Sequence, residues 1–91
     1  MNGIDAARFI QTSILRRSLT DVEEAIFLGA WSGKRYEEIA KSIGYDTGYI
    51  KEMGSKLWSS FSDLIGHKVT KKTLRLVIEK HQSSLNRAIS R

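Results

Sequence analysis

Thr47, Gly48, Lys51, Glu52 and Ser55 fall within nine residues on the polar side of one amphipathic segment. Their side chains make a donor and acceptor set of the kind that reads base edges in a duplex groove. Lys51 can donate to guanine acceptors and Glu52 can accept from a cytosine amine, while Thr47 and Ser55 can pair with either a base edge or a phosphate. Tyr49, at the margin, can touch phosphate or a thymine methyl. Around this set stand cations suited to the sugar-phosphate backbone: Lys34, Arg35, Lys41, Lys56, Lys68, Lys71, Lys72 and Arg75. Contacts of that kind set affinity and its salt dependence rather than sequence choice. The same face has no arginine, and its lysines Lys51 and Lys56 are balanced by Glu52 and Asp63.

Other chemistry is poorly served. No acidic pair, His–Cys arrangement or phosphate-binding glycine loop stands at working spacing, so an enzyme is not expected. The chain has no cysteine, and its two histidines, His67 and His81, lie fourteen residues apart without an obvious third ligand. Neither a metal nor a cofactor is expected. His81, on an apolar helical face, reads as a packed histidine. RNA binding through helix-borne charge lacks any RNP-like or GXXG signature.

The segment that carries the base-reading set spans about 47–64. Ile50, Met53, Gly54, Leu57, Trp58, Phe61, Leu64 and Ile65 share a broad face at the helical period, and small polar residues cover the rest. A short helix over about 35–43 precedes it, with Tyr36, Ile39, Ala40 and Ile43 on its apolar face. Gly44 is placed to end that helix in the left-handed conformation, and Asp46 to cap the next. A short helix, a glycine-bearing turn and a longer amphipathic helix read as helix-turn-helix, in which the second helix offers its N-terminal residues to the major groove. Trp31, Trp58 and Phe61 read as core, whereas Tyr36 and Tyr45 are expected to pack their rings near the motif with hydroxyls outward.

Three further helices complete the reading. The first runs over about 5–17, with Ala6, Ile10 and Ile14 every four residues. The second opens at Thr20-Asp21-Val22-Glu23, a capping-box pattern, and Ser32-Gly33 ends it. The last follows Thr70 as its cap, which places Lys71 and Lys72 in a first turn where the helix dipole disfavours cations and a bound phosphate would offset the cost. Its apolar face runs through Leu74, Val77, Ile78, His81, Leu85 and Ala88, and an interruption at Gln82-Ser83-Ser84 stays open. Val77, His81, Leu85, Ala88 and Ile89 are the candidate homodimer contact. His67-Lys68-Val69 is either a vestigial wing or a turn.

The chain has 91 residues, 41% hydrophobic and 27% charged, with seven glycines and no proline. That is the size of one small domain, too short for a doubly wound sheet or a barrel. The expected fold is all-α: a single helix-turn-helix domain over 1–91 with four to six helices, a core over 19–80, and a C-terminal helical extension over 81–91. No apolar run approaches membrane-spanning length and no signal-peptide core stands near Met1, so a cytoplasmic location with no membrane partner is expected. The net charge of +5 is uneven: residues 1–45 carry six basic and six acidic side chains, residues 46–91 nine and four. Such asymmetry points the C-terminal half toward a polyanion.

The motif residues resemble a known module. Leu19-Thr20-Asp21, Gly29-Ala30-Trp31-Ser32-Gly33-Lys34, Tyr36-Glu37-Glu38-Ile39-Ala40, Gly44-Tyr45-Asp46-Thr47-Gly48-Tyr49-Ile50, Gly54-Ser55-Lys56-Leu57-Trp58 and Gly66-His67-Lys68-Val69-Thr70-Lys71-Lys72 are similar to the N-terminal helix-turn-helix, vWA-MoxR-associated domain. That domain heads large cyanobacterial signalling proteins with NB-ARC-like or AAA-like NTPase domains. The likeness covers roughly residues 4–80. A broader resemblance, through Glu38-Ile39-Ala40 and Ile43-Gly44, is to region 4 of sigma factors and the LuxR-type DNA-binding domain. The likeness implies that Trp31, Ile39, Ala40, Tyr49, Leu57 and Trp58 are fold positions and that Lys56, Lys68, Lys71 and Lys72 match the module's basic positions. Relatives carry Ser or Thr where this chain has Arg35, which removes the usual cap of the third helix. No NTPase domain follows in this sequence, leaving either a freestanding small protein or one module of a longer chain.

Two functions stay open at this point. One is a DNA-binding module and small transcriptional regulator with double-stranded DNA as partner. The other is a protein-interaction or signalling adaptor on the same fold, favoured by the weakly charged recognition helix and the apolar residues near the C-terminus.

Overall fold

The computed structural model describes residues 1–89, with side chains described as far as residue 85. Among the described residues there are five α-helices and no strand: α1 (Gly3–Phe9), α2 (Asp21–Trp31), α3 (Tyr36–Ile43), α4 (Thr47–Ile65) and α5 (Leu74–Ile89). The expected all-α class and the helix-turn-helix formed by α3 and α4 are both present. The segment His67-Lys68-Val69 is therefore a link, not a wing.

The first helix departs from expectation. It begins at Gly3, capped by the Asn2 side chain, which accepts from the Asp5 N–H at 2.8 Å. After Phe9 the chain widens into a π-helical segment, Ile10–Ile14, in which the Leu15 N–H donates to the Ile10 carbonyl five residues back at 2.7 Å. The wider turn keeps Ile10 and Ile14 buried while Arg16, at φ 54°, turns the chain away. The helix thus stops short of 17. Gln11 fastens the connection: its amide donates to the Ala7 carbonyl at 2.9 Å and its oxygen accepts from the Leu19 N–H at 2.7 Å.

α2 opens with the capping box that the sequence spells. The Thr20 hydroxyl accepts from the Glu23 N–H at 3.2 Å, and the Glu23 carboxylate accepts from the Thr20 N–H at 2.9 Å. This helix is the centre of the domain. Ile26 and Phe27 are fully buried, joined by Ile10, Ile39, Ile50, Phe61, Leu74 and Ile78 from the other elements. The Phe27 ring meets Phe61 edge-on at 6.0 Å and stacks on Trp31 at 5.7 Å. Each such aromatic contributes about 1.5–3 kcal/mol by leaving water, and the cluster holds α2 against α4.

α4 carries the expected face inward with one exception. Ile50, Gly54, Leu57, Trp58 and Phe61 are buried, Met53 and Ile65 half-buried, but Leu64 is 57% exposed. At 100° per residue Leu64 falls inside the apolar arc, between Met53 and Leu57; it is exposed in the last turn of α4, one residue before the helix ends at Ile65. The last helix begins later than expected. Thr70 and Thr73 bond reciprocally, each N–H donating to the other's hydroxyl at 3.0 and 3.2 Å, and α5 starts at Leu74. Lys71 and Lys72 therefore lie in the turn before α5, not in its first turn. The helix then continues through Gln82-Ser83-Ser84 without a break to Ile89.

Candidate nucleic-acid interface

The turn between α3 and α4 is built from local chemistry. Gly44, at φ 75°, takes the left-handed conformation that closes α3, a conformation that costs a residue with a Cβ. Asp46 then caps α4, its carboxylate accepting from the Tyr49 N–H at 3.2 Å. At the other end of α3 the Arg35 side chain offers no acceptor, and only half a capping box remains: the Arg35 N–H donates to the Glu38 carboxylate at 3.0 Å.

Two contacts fix α4 against α3. Gly54 faces the Tyr36 ring so closely that an added Cβ would lie 2.9 Å from Tyr36 Cε1. One turn further, Trp58 Nε1 donates to the Tyr36 hydroxyl at 2.9 Å. The Tyr36 hydroxyl therefore points into the α3–α4 contact rather than outward. Together these contacts set which side of α4 faces solvent.

That side is open. Gly48, Lys51, Glu52, Ser55 and Lys56 are exposed, and Thr47 is half-buried beside the turn. Lys56 pairs with Glu52 at 3.5 Å, one helical turn apart, with both side chains largely in solvent; such exposed pairs contribute little. Tyr49 stacks on Tyr45 at 5.4 Å and 23°, the two rings 41% and 48% exposed. The Tyr45 partner was missed because it lies before the helix begins, although the four-residue spacing was there to read.

The link after α4 brings two of the candidate cations beside this face. Val69 is buried, and its N–H donates to the Ser62 hydroxyl at 2.8 Å, while Ser62 donates in turn to the Trp58 carbonyl at 2.9 Å. The segment is thereby pinned along α4. Lys68, Lys71 and Ser55 line one shallow cleft with Ser59, Asp63 and Thr70. The Lys71 ammonium lies 5.5 Å from the centre of the Tyr36 ring, a cation–π placement that holds it at the cleft. Ser59 carried no sequence signal beyond being small and polar, and Thr70 none for this cleft, since its pattern reads as a helix cap.

The other candidates stand elsewhere. Lys34 and Arg35 occupy the α2–α3 link and Lys41 the last turn of α3, all exposed, and Lys72 is exposed in the turn before α5. Arg75 is engaged, its guanidinium 5.5 Å from the Trp31 ring and 3.8 Å from the Glu79 carboxylate. Of the candidate dimer contacts, Val77 is half-buried against the domain's own core. His81 is half-buried with its ring 6.3 Å from Phe9, and Leu85 is half-buried. The side chains of Ala88 and Ile89 lie outside the described residues.

No helix is long and apolar enough to cross a membrane among the described residues, which also contain no cluster of metal-ligating side chains. No curated protein and no solved structure matches the chain significantly. A family model does match, over residues 2–81, and its description is the N-terminal HTH of vWA-MoxR associated proteins. With that model spanning nearly the whole chain, and with α3, the Gly44 turn and α4 in helix-turn-helix order, the protein belongs to the vWA-MoxR associated protein N-terminal HTH family.

Proposed function

We propose that this domain binds double-stranded DNA, with the N-terminal half of α4 in the major groove. One observation carries the reading: the polar side of α4 from Gly48 to Lys56 is covered by no other part of the described chain. In this pose Lys51, Glu52, Ser55 and Thr47 face base edges, and Gly48 lets the backbone approach closely. Lys68 and Lys71, fastened to the flank of α4 through Val69 and Tyr36, clamp one strand. Lys34, Arg35, Lys41, Lys56, Lys72 and Tyr49 supply further phosphate contacts, with Arg75 a weaker one because Glu79 already holds it. The role is that of a small regulator of transcription, freestanding or heading a longer cytoplasmic signalling protein. Fluorescence anisotropy with mixed-sequence duplexes tests it. Lys51→Ala should change discrimination among sequences, whereas Lys71→Ala with Lys72→Ala should weaken all of them alike.

A second reading, a protein-interaction module on the same fold, has its own support. The presented face of α4 lacks arginine and spends Lys56 on Glu52, which lowers its attraction for phosphate. Stable complexes with a protein, together with no salt-sensitive duplex binding, would select this reading.

A further inference from the structure

The far end of α4 carries a surface of which the duplex reading uses only Lys68. Ile65, Leu76 and Val77 form the apolar part of a groove between the end of α4 and the outer side of α5. Leu76 is 64% exposed in the first turn of a helix that otherwise turns polar residues outward. Lys68 and Lys80 stand at the same groove, with His67 and His81, and among the described residues no acidic side chain lines it. A single exposed leucine needs no explanation; an apolar groove with a one-sign rim does.

We infer that this groove docks an acidic amphipathic helix of a partner protein. Its apolar side chains, at the three- and four-residue spacing of a helix laid in a groove, cover Ile65, Leu76 and Val77. Its flanking carboxylates meet Lys68 and Lys80. Charge decides among occupants. A second copy docking groove to groove would set two basic rims against each other in a chain of net charge +5, and like charges across an interface are costly. A duplex satisfies the lysines but offers no apolar ridge for Leu76. The groove sits at Ile65, about 27 Å along α4 from Thr47 at 1.5 Å per residue, and it shares only Lys68 with the duplex surface. The inference does not rest on DNA binding; it gives the protein-interaction reading a surface and a class of partner.

The test is anisotropy with a labelled, roughly four-turn peptide bearing leucines at helical anchor spacing and glutamates on both flanks. A control peptide replaces every glutamate by lysine. The acidic peptide should bind with a Kd of about 10–100 µM and the basic one at least about tenfold more weakly. Leu76→Asp and Lys80→Glu should each weaken the acidic peptide about tenfold, with helix content, melting and duplex affinity unchanged. Lys51→Ala should leave peptide binding intact, so loss of one activity is separable from loss of the other. The inference is overturned by no saturable binding of the acidic peptide, by equal binding of both peptides, or by indifference to Leu76→Asp. Sedimentation showing a dimer that Leu76→Asp dissolves would overturn it in favour of a second copy.

Discussion

Trp58 donates its indole N–H to the Tyr36 hydroxyl at 2.9 Å across the helix-turn-helix contact. The bond joins the first residue of α3 to the middle of α4, and Lys71 rests over the same tyrosine ring. Tyr36 thus links the angle between the two helices to the position of a candidate phosphate contact.

Tyr36→Phe keeps the ring and removes the acceptor, leaving a buried indole N–H without a partner. We expect a loss of about 1–3 kcal/mol in urea unfolding with the fold retained. The indole environment should change in the near-ultraviolet circular dichroism.

Gly54→Ala should destabilise the domain even though alanine favours a helix by about 1 kcal/mol. The new Cβ would stand 2.9 Å from Tyr36 Cε1 and 3.2 Å from its hydroxyl. The ring must move, which stretches the Trp58 bond and displaces Lys71. A lower melting temperature and weaker duplex binding together are the expected outcome; a higher melting temperature would show that the ring yields freely.

The link before α2 has a pH signature. Arg17 forks onto Glu23 with two bonds of 2.9 Å, and this ion pair, with the capping bonds from Thr20, lowers the Glu23 carboxyl from 4.5 to about 2. A carboxyl depressed in the folded state adds stability that is full above about 4.5 and lost as pH falls toward about 2. Arg17→Ala should move the Glu23 titration up toward its ordinary value, read by carbon NMR of the carboxyl. It should also remove part of the stability above that range while narrowing the difference from wild type in strong acid.

The helices were legible in the sequence wherever a local signal was complete. Thr20 with Glu23, Gly44 with Asp46, and the buried stripe of α4 each name their own structure. The failures came where a tertiary contact, or a second local bond, decided. The π turn after Phe9 has no marker of its own and follows from seating Ile10 and Ile14 together. Thr70 looked like a cap, but its reciprocal bonds with Thr73 delay α5 until Leu74. Tyr36 was read as outward because nothing in its neighbourhood announces an acceptor for an indole twenty-two residues away. The base-reading candidates on α4 were legible because they need only the helical period. The cleft at Lys68 and Lys71 was not, since it depends on Val69 and Ser62 pinning a link to a helix.

Duplex binding as a function of salt tests the central claim most directly. With the seven cations Lys34, Arg35, Lys41, Lys56, Lys68, Lys71 and Lys72 on phosphates, affinity for mixed-sequence duplex should fall by roughly three to four powers of ten between about 50 and 200 mM salt. Lys71→Ala with Lys72→Ala should reduce the slope of log affinity against log salt by about two. Absence of binding at the lower salt, or an affinity that salt leaves unchanged, would contradict the account and leave α4 facing a protein instead.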